Sequence, residues 1–108
     1  MDYEVTKEAA EREAREFYDL GMELLKVGDL EPAAASLSNA LYFYQISGNN
    51  NGTNLCVKAL TEGCDVSSDQ IPFLEKRAST RVDNALRFSR YTIFDLFKNR
   101  EKLILESF

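Results

Sequence analysis

The stretch Phe17–Tyr44, FYDLGMELLKVGDLEPAAASLSNALYFY, decides the fold. On its N-terminal side Ala10, Ala14, Phe17, Gly21, Leu24 and Leu25 recur at steps of three and four, which marks one apolar stripe of an amphipathic helix. Gly28 supplies a left-handed stop. Asp29 stands where a cap for a new helix is needed, and Pro32 falls in the first turn, where its missing N–H costs little. Ala33, Leu37, Ala40, Leu41 and Tyr44 then form a second stripe, which the run Gly48-Asn49-Asn50-Asn51-Gly52 ends. Two apolar stripes joined by so short a turn predict an antiparallel helical hairpin over 4–46. Gly21, Ala33 and Ala40 allow close approach, with Phe17, Leu24, Leu37 and Leu41 filling the space between.

Outward from the hairpin the spacing predicts two short helices and a long one. Thr53 is placed to cap a helix over 54–62, carrying Leu55, Ala59 and Leu60 and closed by Gly63. Ser67, Ser68 or Asp69 can open the next, over 69–78, with Pro72 in its first turn. A third segment, 80–105, carries Val82, Ala85, Leu86, Ser89, Ile93, Leu96, Phe97 and Ile104 on one stripe. Phe88, Tyr91 and Phe94 fall off that stripe and give a second sticky face, a candidate surface for self-association as a homodimer. The expected fold is all-α: one domain over 1–108, with four to five helices around the hairpin.

Composition narrows the function. The chain has 108 residues, 44% of them apolar, which suffices for a core without disulfides. It contains no His, so imidazole-based nucleophilic triads and His-ligated zinc sites are excluded. Cys56 and Cys64, seven residues apart in the intervening count, read as plain thiols of a reducing compartment. Cys64 beside Asp65 is the one faintly reactive candidate, and a neighbouring carboxylate raises rather than lowers a thiol pKa. No catalytic, cofactor or metal site is expected. The longest unbroken apolar run is the five residues Ala40–Tyr44, and the chain opens on Met1-Asp2-Tyr3-Glu4, so neither a membrane span nor a basic leader is expected, and the expected setting is cytoplasmic. Asn51-Gly52-Thr53 is formally a glycosylation acceptor but reads as a turn.

Charge is uneven: residues 1–54 carry four basic and ten acidic side chains, whereas 55–108 carry nine and eight. An acidic first half opposes nucleic acid and favours basic partners.

Phe17, Leu20-Gly21, Leu24, Gly28-Asp29, Ala33, Leu37 and Ala40-Leu41 stand at the offsets of one tetratricopeptide unit, with Gln45 in place of the closing proline. The hairpin therefore resembles that repeat. Leu20-Gly21-Met22-Glu23-Leu24-Leu25, Gly28-Asp29-Leu30-Glu31 and Leu37-Ser38-Asn39-Ala40-Leu41 look like the receptor domains of the twenty-kilodalton mitochondrial import receptors, in which such a hairpin is followed by two short helices. The resemblance spans about residues 9–82. It implies a non-catalytic module for peptides or proteins, receiving basic amphipathic helices such as targeting presequences on the cytosolic face of an organelle. Such a receptor needs an apolar groove with negative charge beside it. Phe17, Tyr18, Leu25, Leu55 and Ala59 are the groove candidates, and Glu16, Asp19 and Glu23 the acidic rim. Phe17 and Tyr18 lie on adjacent helix faces, so they cannot both belong wholly to the groove, and Tyr18 is preferred. The alternatives are an assembly protein using the C-terminal helix, and an inactive relative of HEPN-type or archaeal helical-hairpin proteins, since the Arg-His signature of active HEPN nucleases cannot be formed without His.

Overall fold

The computed structural model describes residues 6–88 and 103–104, with Phe88 described as helical backbone. The chain is all-α. Helix α1 spans Lys7–Lys26, α2 Leu30–Ser47 and α3 Asn50–Lys58; a π-helical turn, Ala59–Gly63, continues α3, and a 3₁₀ turn, Ser68–Gln70, leads into α4, Ile71–Phe88. No helix among the described residues is long and apolar enough to cross a membrane.

Each end has a local cause. The Thr6 hydroxyl accepts from the Ala9 N–H and caps α1. Gly28 turns the chain at φ +80°, after which Asp29 accepts the Ala33 N–H through its backbone carbonyl. Its side chain makes no capping bond, contrary to the expectation for Asp29. Gly48 ends α2 in the left-handed region at φ +76°.

Helices α1 and α2 run antiparallel: Asn49 Nδ2 donates to Glu11 Oε1 at 2.6 Å, Ser36 Oγ to Phe17 O at 2.6 Å, and a Cβ on Gly21 would sit 2.6 Å from Leu37 Cγ. Gly21 thus sits in a close approach of the two helices, with no room for a methyl group. Every residue from Ala33 through Leu41 is buried, so α2 is the central helix, packed by α1, α3 and α4. Its small side chains make this possible. The buried hydroxyls of Ser36 and Ser38 are satisfied by the carbonyls of Phe17 and Ala34.

Asn39 is the polar centre of this layer. Its Oδ1 accepts from Arg81 Nη2 at 3.0 Å and its Nδ2 donates to Leu103 O at 3.3 Å, so one amide joins α2, α4 and the C-terminal residues. Arg81 Nη2 also reaches Ala35 O at 3.3 Å.

The structure corrects three boundaries. The first hairpin helix begins at Lys7, within the expected 4–46 span, and the second reaches Ser47. The third helix starts at Asn50 rather than 54, because Asn49 Oδ1, not Thr53, accepts the Gly52 N–H at 2.8 Å; Thr53 Oγ1 instead donates back to Asn49 O. Within this helix position 52 takes glycine because a Cβ there would strike the Tyr44 ring. The break expected between 69–78 and 80–105 does not exist: α4 runs unbroken through Ser79, with Ala78, Val82, Ala85 and Leu86 buried. Most of the remainder of the expected 80–105 helix lies outside the described residues.

Candidate functional site

The π turn shapes the surface beside α1. The Cys64 N–H donates to both Ala59 O and Leu60 O at 3.2 Å, so one residue more than an α-turn holds is accommodated. Asp65 follows at φ +57°, a region tolerated best by Asn and Asp among residues with a Cβ, and Val66 N–H returns to Leu60 O. Gly63, the last residue of the turn, lies against α1, where a Cβ would be 2.8 Å from Leu25 Cδ1.

Along α1, Tyr18, Met22 and Leu25 follow one another at steps of four and three, on the face turned toward α3. Opposite them stand Leu55 and Lys58 from α3, with Ala59, Glu62 and Gly63 from the π turn. Together they line an open, mainly apolar groove of about 400 Å³. Leu55 is 48% exposed, a large aliphatic side chain standing in water at the groove wall. Lys58 and Glu62, one turn apart, give the otherwise apolar lining one charge of each sign.

Four of the five groove candidates, Tyr18, Leu25, Leu55 and Ala59, meet in this groove. Phe17 does not. It is fully buried and stacks on Phe43 in the core, so the adjacent-face argument resolves in favour of Tyr18. Met22, Lys58, Glu62 and Gly63 also belong to the lining and lie outside the five expected positions. Met22 stands one turn beyond Tyr18, and Lys58 and Glu62 stand three and seven positions beyond Leu55, so helical spacing alone places all three beside the expected residues.

The acidic rim is displaced from its expected place. Glu16 and Asp19 line a neighbouring depression of about 420 Å³ on the outer side of α1, with Glu8, Glu11, Arg12 and Arg15. Glu23 is exposed and lines neither hollow. The side chain of Phe88, and the whole of Tyr91 and Phe94, lie outside the described residues.

Both cysteines are free thiols. Burial pushes Cys56 up to about 12, and burial also raises Cys64, so neither is a thiolate at neutral pH. Among the described residues no group of three Asp, Glu or Cys side chains could hold a metal ion. No family model, curated protein or solved structure matches the chain.

Proposed function

We propose that the chain is a non-catalytic peptide-binding module, and that the groove between α1 and the α3–π segment receives one face of a basic amphipathic helix. The convergence of Tyr18, Leu25, Leu55 and Ala59, drawn from two separate parts of the chain, carries this reading. A helix that places apolar residues at i, i+3 and i+4 offers side chains of the size and spacing that such a groove buries. Glu62 at the groove, and Glu16, Asp19 and Glu23 on the outward side of α1, supply attraction for basic residues flanking that stripe. A hairpin followed by further helices is also the order that the resemblance to import receptors implies, so a targeting presequence is the proposed natural occupant.

The test is a titration of isotope-labelled protein with a short peptide of alternating Leu and Arg faces, read by amide shifts at low and moderate salt. Saturable shifts at Tyr18, Leu25 and Leu55 that weaken with salt and vanish in Leu55→Glu are expected. An absence of saturable shifts, or shifts that Leu55→Glu leaves unchanged, overturns the reading.

A further inference from the structure

We infer that the face of α4 presenting Phe73, Lys76, Arg77 and Arg81 is a second docking surface, and that it takes an acidic segment of a partner protein bearing an apolar side chain among its carboxylates. The stripe is written in the sequence at positions 73, 76, 77, 80 and 81, steps that fall on one side of a helix, and these residues line a depression of about 380 Å³. It lies apart from the groove beside α1 and shares no residue with it.

Three observations carry the inference. The first is apolar exposure. Phe73 is 61% exposed at the depression, and a second hollow of about 300 Å³ continues from Phe73 and Arg77 to Leu30, Val66 and Leu74. The Arg77 guanidinium lies 5.6 Å from the Phe73 ring centroid, so cation and aromatic surface are presented side by side.

The second is a cation fixed in place. Two bonds from Arg81 Nη2 to α2 hold the guanidinium, while its buried Nε has no hydrogen-bond partner among the described residues. Burial, and then the charge of Arg77, lower its pKa to about 10, which leaves it charged at neutral pH in the company of a like charge. An incoming anion relieves that repulsion.

The third is that two of the cations stand outside any ion pair. Among the described residues neither Lys76 nor Arg81 is in an ion pair. Of the carboxylates of α4, Glu75 accepts from Gln45 Nε2 at 3.2 Å and Asp83 lies 3.8 Å from Arg87. The chain as a whole carries −5, and Glu31 lines the continuation, so a uniformly charged polyanion such as nucleic acid meets repulsion around a small positive site. A segment that alternates carboxylate and apolar side chains matches both halves of the trough.

The test uses the full chain and a fluorescein-labelled peptide of interleaved Glu and Leu, read by anisotropy at two salt concentrations. The same peptide with Gln for Glu and a labelled oligothymidylate serve as alternatives. Saturable binding by the Glu–Leu peptide that weakens with salt is expected, falling about tenfold in Phe73→Ala and again in Lys76→Glu. Both side chains are exposed, so circular dichroism should remain that of the parent. Leu55→Glu should keep this binding, which separates it from the groove beside α1. No saturable binding, equal binding of the Gln peptide, or tighter binding of the oligonucleotide overturns the inference.

Discussion

Phe17 and Phe43 stack with ring centroids 6.1 Å apart and planes 13° from parallel, and both are sealed from solvent where α1 packs on α2. One residue further along, Tyr18 is turned by about 100° and opens onto the groove. Adjacent aromatics thus serve packing and recognition separately.

Truncating the two should separate those roles. Phe17→Ala is expected to cost about 3–5 kcal/mol through lost burial and the cavity left behind. Tyr18→Ala should cost about 1 kcal/mol or less, because its ring is only partly enclosed. Urea denaturation measures both, and binding of the basic peptide should fail in the folded Tyr18 variant.

Gly21→Ala should destabilise by about 1–3 kcal/mol, since the new methyl group meets Leu37 Cγ at 2.6 Å. Leu37→Ala removes that obstacle and leaves a void beside it. The double variant should therefore be more stable than the sum of the two single losses implies, a coupling that a double-mutant cycle in urea would reveal.

Burial raises the folded-state pKa of Cys56 from 9.0 to about 12, so its contribution to stability is complete below about pH 9 and is lost progressively as pH rises from there. Over that window the unfolded chain gives up the thiol proton and the folded chain keeps it. Tyr44, raised first by burial and next by Cys56, acts in the same direction. Unfolding midpoints should fall above pH 9, and less steeply in Cys56→Ala. In native protein at pH 8 a thiol-alkylating reagent should modify half-buried Cys64 well before Cys56.

Gly63→Ala should change stability little, because the atom in its way is the free end of Leu25, which can swing aside. The direction open to Leu25 is into the groove. Weakened peptide binding with an unaltered melting temperature is the expected outcome, measured by calorimetry on one preparation.

Where local chemistry decides an element, the sequence was sufficient. Gly28 turns in the left-handed region as expected, α2 ends where the run from Gly48 begins, and Gly21 meets Leu37 and the Ala33 carbonyl across the contact between α1 and α2. It was insufficient where tertiary packing overrides propensity. The Asn/Gly run after Gly48 looks like a loop, yet Asn49 caps α3 and Gly52 is accommodated by the Tyr44 ring. Ser79 and Thr80 look like a break, yet buried Ala78 and Val82 on either side keep α4 continuous. In the groove, Tyr18, Leu25, Leu55 and Ala59 were found by pattern. Lys58 and Glu62 stand at helical steps from Leu55 and Ala59 as well, but a search for apolar groove residues passes over charged ones.

The amide of Asn39 also bears on the order of assembly. The turn between α1 and α2 holds only Val27, Gly28 and Asp29, so the hairpin closes a short loop and meets little entropic resistance. The Asn39–Leu103 bond spans 64 positions, and the Asn39–Arg81 bond 42. Such distant ends meet late, once the hairpin has already positioned the amide. Asn39→Ala should accordingly speed unfolding and leave the refolding rate nearly unchanged in stopped-flow experiments, making this small polar junction a brake on opening rather than a seed for folding.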